Sequence, residues 1–100
     1  MTAYSVLEVT PTDDAWIPGY LAPVAEIISK HGGKYLARTT THERAEGEGP
    51  DVALRVLLEW PSMDAARAFV NDPEYAPHLA ARTNGSISHH VIIDGVDDMA

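Results

Sequence analysis

Residues 3–10, AYSVLEVT, are rich in Val, Tyr and Thr and stop at Pro11, which predicts a strand. From Ala15 to Lys30 the apolar positions Trp16, Tyr20, Val24, Ile27 and Ile28 recur at helical spacing. Thr12 or Asp13 is the expected N-cap, with Asp14 favourable at the positive helix end. Pro18 falls early enough for a first turn, whereas Pro23 removes a backbone donor and is expected to bend or split the helix. Gly32 suits the left-handed residue that closes a helix, and Gly33 a tight return. Lys30 and His31 stand where cations favour a helix C-terminus.

The second half follows the same order. KYLARTT, 34–40, reads as a strand, and THERAEGEGPD, 41–51, as a polar loop or loose hairpin. VALRVLLEW, 52–60, is the strongest strand pattern, ended by Pro61. Ser62 caps a helix whose buried side includes Phe69 and Val70. Asp72 is the expected N-cap of a restarted helix, with Pro73 at its first position. Tyr75, Leu79 and Arg82 follow on one face, and Asn84-Gly85 end it. SISHHVIIDG, 86–95, is the last strand.

Strand, helix, strand, strand, helix, strand is two split βαβ units. The expected fold is α+β, a ferredoxin-like βαββαβ sandwich with a four-stranded, mostly antiparallel sheet. Residues 1–96 form one domain and 97–100 a frayed tail. Helices cover only one face of such a sheet. In 52–60, Leu54, Val56, Leu58 and Trp60 oppose Ala53, Arg55, Leu57 and Glu59, and in 3–10 both faces carry apolar bulk. The uncovered face calls for a second cover, and the simplest is the same face of another copy, giving a homodimer.

Composition narrows the partners. The 100 residues carry 15 acidic and 7 basic side chains, a net charge of −8, which argues against nucleic acid and anionic lipid. No apolar run is long enough to span a membrane, and the N-terminus lacks a signal-like segment, so a cytoplasmic location is expected. The Asn84-Gly85-Ser86 acceptor pattern is discounted for that reason. With no cysteine, disulfides, thiolate nucleophiles and cysteine-metal sites are excluded. A chain this short buries only somewhat over roughly 60% of its unfolded surface, so a partner subunit would help it.

The opening strand, KHGGKYLAR, Glu46-Gly47, LLEWPSMDAARAF, DPEY and VIIDG together resemble a bacterial family catalogued as a domain of unknown function, number thirteen-thirty. That family belongs to the dimeric α/β-barrel group, with small cofactor-free antibiotic-biosynthesis monooxygenases, haem-degrading monooxygenases and muconolactone isomerase-like proteins. The resemblance implies a ferredoxin-like subunit, a dimer whose two sheets form a barrel, and no established activity. Relatives in the group often hold ligands in a cleft between helices and sheet. RTTTHER stands where family members more often have glycines, so a shared ligand contact is implied only as far as Arg38.

Several residues carry candidate chemistry. Arg38, placed in a strand with Leu36 and Thr40 on its face, could clamp a ligand carboxylate, or pair structurally with Glu8 or Glu59. His89 and His90 are adjacent in a strand and point to opposite faces, so they cannot share a metal. One of them faces inward, as a general base or as a hydrogen-bonded structural histidine. His31 is a helix-end cap or a cleft residue acting on a ligand. His42 and Glu43 fall in the polar loop, and His78 sits four before Arg82. Trp16, Tyr20 and Tyr75 are core aromatics or the walls of a pocket for a planar ligand. No spacing suggests a metal site, and Gly32-Gly33 follows a helix rather than a strand, so neither metal nor nucleotide cofactor is expected. Two functions follow. One is a cofactor-free enzyme, monooxygenase- or isomerase-like, in which Arg38 holds a small acidic or aromatic molecule, the aromatics exclude water, and His31 or His90 moves a proton. The other is a non-catalytic ligand-sensing or structural dimer.

Overall fold

A computed structural model describes all of residues 1–100. The elements run β1 (Ala3–Pro11), α1 (Ile17–Lys30), β2 (Lys34–Thr39), β3 (Leu54–Trp60), α2 (Met63–Val70), α3 (Ala76–Asn84) and β4 (Ser86–Asp94). The sheet order is β2-β3-β1-β4, and each neighbouring pair is antiparallel. This is the ferredoxin-like arrangement that the element order predicts.

Alternation on the two central strands divides the sheet. Ala3, Ser5, Leu7 and Val9 of β1, with Val56, Leu58 and Trp60 of β3, are buried beneath Val24, Ile27 and Ile28 of α1 and Ala66 and Phe69 of α2. Trp60 is the largest fully buried side chain; its indole N–H donates to Ser5 Oγ at 2.8 Å. That bond explains a serine at the centre of an apolar layer. The opposite face carries Tyr4, Val6, Glu8, Arg55, Leu57, Glu59, His89, Val91 and Ile93, and no helix covers it. The Cα envelope is 18 Å in its thin dimension, the depth of one sheet and one helical layer.

Several boundaries differ from expectation, each for a local reason. Asp13 does not cap α1. Its carboxylate accepts from Ala15 N–H at 2.8 Å, an Asx turn that delays the helix until Ile17. Pro23 does not split α1, which runs unbroken to Lys30 because Val24, Ile27 and Ile28 bury its inner stripe. Asp72 starts a turn rather than α3: its backbone carbonyl accepts from Tyr75 N–H, and α3 begins at Ala76 with Pro77 in the first turn. The polar connection extends to residue 53, so β3 begins at Leu54 rather than at 52.

The glycine pair has two separate duties. Gly32, at φ +78°, closes α1 as a Schellman motif: Gly33 N–H reaches Ile28 C=O at 2.9 Å and Gly32 N–H reaches Ser29 C=O at 3.0 Å. Gly33 serves packing, since a Cβ there would stand 2.5 Å from the Trp60 ring.

Candidate functional site

A cavity of about 90 Å³ lies between the sheet and the helical layer. Its floor is Leu7, Val9, Val56 and Leu58, the inward row of β1 and β3. Trp16, Ile17, Tyr20 and Leu21 line it from the start of α1, and Tyr75 and Arg82 from the α3 side. Tyr35 and Arg38 line it from β2. Arg38 and Leu21 are exposed and so mark the mouth, whereas Arg82 and Tyr75 are buried at 3% and 1% exposure and mark the inner end.

The route by which Arg38 reaches the cavity is a β-bulge. The β2–β3 register slips between Tyr35 and Ala37, which leaves Leu36 as the extra residue. Tyr35 then stands opposite Leu58 and Arg38 opposite Val56, so both side chains take the helix side. Simple alternation, which groups Arg38 with Leu36 and Thr40, is therefore corrected. The Arg38 guanidinium stacks over the Tyr35 ring, 4.2 Å from its centroid. It pairs with neither Glu8 nor Glu59, which are held by Arg55 at 3.1 Å and Lys34 at 3.3 Å.

The aromatic wall is ordered by contacts to its neighbours. Trp16 donates its indole N–H to Gly85 C=O at 3.0 Å and meets Tyr20 edge to face at 5.2 Å. Gly85 has no Cβ to block this approach, because one would collide with the Trp16 ring. The hydroxyls of Tyr20 and Tyr75 are 3.2 Å apart. Burial, and then the neighbouring Tyr75, raises the Tyr20 phenol well above its ordinary range, so it stays protonated. Burial also raises Tyr35. Tyr75 stacks on Phe69 at 4.2 Å between ring centroids.

Arg82 is the unusual member. Its Nη1 donates to Ser88 Oγ at 2.6 Å, its Nη2 reaches Tyr75 Oη only at 3.5 Å, and its buried Nε has no partner. No carboxylate lies within ion-pair distance of it. Burial works against its charge, but the phenol oxygens of Tyr75 and Tyr20 outweigh this and strengthen its hold on the proton. A buried cation without a counter-ion is costly to keep. In the sequence Arg82 falls on the helix face shared with Tyr75 and Leu79, with no functional pattern around it. The available signal was a cation on an apolar helix face with no acidic residue one turn away.

The candidate histidines lie outside the cavity lining. His31 caps α1, and its Nε2 is 2.8 Å from Asp72 Oδ2, which also takes Lys30 Nζ at 2.9 Å. Lys30 first, then His31 and the Glu74 amide, hold the Asp72 carboxyl far below the usual carboxylate range. The cluster fastens the end of α1 to the turn that carries Tyr75. His90 faces inward, with Nε2 2.7 Å from Ser5 Oγ, while His89 lies opposite Glu8 on the open face. Because Ser5 already accepts from Trp60, its own proton is free for His90 Nε2, which suits a neutral imidazole. Burial, and secondarily the charge of Arg82, lowers His90 to about 4.

This gives a pH prediction. Between about pH 6.5 and about pH 4 the unfolded chain binds a proton at residue 90 that the native state does not. Stability from this group is complete above that window and is lost as pH falls through it. Urea midpoints of the wild type are expected to fall on acidification across the window, and to fall less in His90→Gln. Equal slopes in both proteins would refute the assignment.

No group of three or more His, Asp or Glu side chains is placed to hold a metal ion, and no helix is long and apolar enough to cross a membrane.

The architecture defines a class: a two-layer ferredoxin-like α+β protein with an apolar cavity between helices and sheet. Within it, the chain belongs to the family described as a domain of unknown function, DUF1330, whose model matches residues 2–96. No curated protein matches the chain. Among solved structures it is similar to RPA0582, a protein of unknown function from Rhodopseudomonas palustris, at TM-score 0.77 and 14% identity over 96% of this chain and 83% of that one. It is similar to a variant of SnoaB, a cofactor-independent oxygenase from Streptomyces nogalater, at TM-score 0.67 and 21% identity over 98% and 96% of the two chains. A dabb family protein with a ferredoxin-like fold from Mesorhizobium loti aligns at TM-score 0.69 and 10% identity over 96% and 98%. At these identities the likeness is one of fold.

Proposed function

We propose that this protein binds a small, planar, anionic molecule, an aromatic or enolic acid, in the cavity and acts on it as a cofactor-free enzyme of the monooxygenase or isomerase kind. The observation that carries the reading is Arg82, a buried guanidinium with a free Nε and no counter-ion in an otherwise apolar space. A ligand oxyanion would supply the missing charge. In return, a cation in a water-poor cavity favours the phenolate or enolate of a bound ligand over its neutral form. An electron-rich anion sheltered from water is a suitable starting point for chemistry without a cofactor. The fold shared with a cofactor-independent oxygenase supports this reading.

A second reading, a non-catalytic ligand-sensing dimer, draws on a different observation. No histidine or carboxylate lines the cavity, and His31 and His90 are engaged with Asp72 and Ser5. Both readings include a homodimer formed through the open sheet face.

A thermal-shift screen of phenolic, enolic and carboxylic acids tests the proposal. A binder is expected to raise Tm by mass action, in proportion to the logarithm of its concentration. Incubation of that binder in air, followed by oxygen-uptake and product analysis, separates the two readings. Consumption supports the enzyme, and tight binding without consumption supports the sensor. If no acid in the screen raises Tm, the cavity reading is wrong.

A further inference from the structure

The cavity has two guanidiniums with unlike surroundings, and neither is paired with a carboxylate. Arg82 is buried at the inner end beside the phenols of Tyr75 and Tyr20. Arg38 is exposed at the mouth and lies over the Tyr35 ring. We infer that the ligand is a two-headed acid: a ring bearing a phenolic or enolic oxygen at Arg82 and a carboxylate at Arg38. The inference rests on the cavity reading above and specifies its substrate class.

Three features fix the assignment of ends. The inner end offers few donors: the loosely engaged Nη2 of Arg82 and a phenol hydroxyl from the Tyr20–Tyr75 pair, with the Arg82 Nε buried behind them without a partner. That set suits a single oxygen. A carboxylate has about four lone-pair positions to satisfy and is better served at the mouth, where water completes its shell. There the Tyr35 ring backs the Arg38 guanidinium at 4.2 Å and limits its freedom, and the planar fork is suited to bidentate contact with a carboxylate.

Size supports the same orientation. The enclosed space is about 90 Å³. A cavity of about 150 Å³ is known to take up benzene. A ring seated here therefore extends toward the mouth, past the exposed side chain of Leu21, which brings its far substituent to Arg38. The walls between the two ends are Leu7, Val9, Val56 and Leu58, which contact a ring face but no charge.

The test measures dissociation constants for phenol, benzoate, 3-hydroxybenzoate and 4-hydroxybenzoate by calorimetry, on the wild type, Arg38→Gln and Arg82→Lys. In the wild type one hydroxybenzoate is expected to bind more tightly than both phenol and benzoate by about tenfold, equivalent to roughly 1.4 kcal/mol. In Arg38→Gln its advantage over phenol is expected to shrink to near unity. In Arg82→Lys its advantage over benzoate is expected to shrink instead, since the lysine has no donor at the Nη2 position beside Tyr75. A wild-type preference that survives Arg38→Gln unchanged overturns the two-headed ligand while the cavity reading stands. If folded wild type binds none of the four, both fall.

Discussion

Replacing Arg82 with methionine is expected to remove ligand binding and leave the fold about as stable as before. The two effects differ for one reason. Arg82 is 3% exposed, lacks a carboxylate partner and keeps one N–H with no acceptor. Its desolvation is a standing cost to the folded state. Methionine matches the length of the stem and carries no charge. Exchanging buried charge for apolar bulk of similar shape is often neutral or stabilising by about 1–4 kcal/mol. Against this stand the charge-assisted bond to Ser88, worth about 1.5–3 kcal/mol, and the long contact to Tyr75, worth about 1 kcal/mol or less, so the two sides are of similar size. Tyr75 keeps Tyr20 as a partner, so few groups are stranded. In the liganded protein the balance tips. Removing one member of a buried charge pair costs about 2–5 kcal/mol, which is roughly 30-fold to several thousand-fold in affinity. Calorimetry of binding and urea denaturation of the same variant read both numbers. An Arg82→Met protein that binds acids as tightly as the wild type, or that loses several kcal/mol of stability, would show that Arg82 is a structural residue. The proposed function would then lose its anchor.

The parts of the fold that could be read from the chain are those set by period. β1, β3 and β4 alternate, and α1 carries an apolar stripe at helical spacing. Together with chain order these determine a split βαβ pair and its antiparallel sheet. What escaped is set by competition between nearby groups. Asp13 has the side chain of an N-cap, but its carboxylate bonds Ala15 two residues on and forms a turn instead. Asp72 likewise has the composition of a cap, but its Oδ1 accepts from Glu74 N–H two residues on while Lys30 and His31, distant in sequence, hold Oδ2, and the segment it opens is a turn. The bulge at Leu36 has no marker in KYLART, since neither glycine nor proline signals it, and it reverses the face on which Arg38 lies. Alternation puts Ser5 on the face of Leu7 and Val9, but what satisfies a hydroxyl there, Trp60 and His90, is settled only in three dimensions.

The candidate site was legible in part. Trp16, Tyr20, Tyr75 and Arg38 were chosen for their chemistry, and the fold gathers all four around one cavity. Three of them need no special motif, since the start of α1 and the turn before α3 overlie the β1–β3 floor, whereas Arg38 joins them from the neighbouring strand only through the bulge in β2. His31 is close in sequence to β2, yet the Schellman turn directs it toward Asp72 rather than into the cavity. Arg82 was visible on its helix face, but its isolation from every carboxylate is a three-dimensional property. An unmatched charge can be recognised only once all its neighbours are known.

Replacing Val91 with aspartate is expected to convert a homodimer into a folded single chain. Val91 lies at the middle of the open face, in a row with Val6 and Leu57, and is 56% exposed. Ile93, Ile87 and Leu36 extend the exposed apolar surface around it. The face is also prepared for burial electrically. Its four strong charges cancel in two pairs, Glu8 with Arg55 and Lys34 with Glu59. A second copy can therefore cover them without stranding a net charge. A two-fold arrangement makes the contact self-complementary, and a stable interface needs about 800 Å² from each partner. An aspartate at position 91 would sit in that contact as an unpaired carboxylate, facing a copy that carries the same charge. The cost is several kcal/mol in the dimer. In the single chain the same carboxylate is simply solvated, and the strand loses about 1 kcal/mol or less in propensity. Light scattering after size exclusion at micromolar concentration is expected to give twice the 10.8 kDa of one chain for the wild type and the single value for Val91→Asp. Circular dichroism checks that the variant is folded. Wild type at 10.8 kDa, or a variant still at twice that mass, would mean that this face is not the interface. The consequence reaches the cavity, because Leu7, Val9, Val56 and Leu58 of its floor alternate along β1 and β3 with Val6 and Leu57 of the open face. In the proposed dimer a second sheet would brace the floor of the cavity, and a Val91→Asp chain is then expected to bind the acid more weakly without losing any residue that touches it.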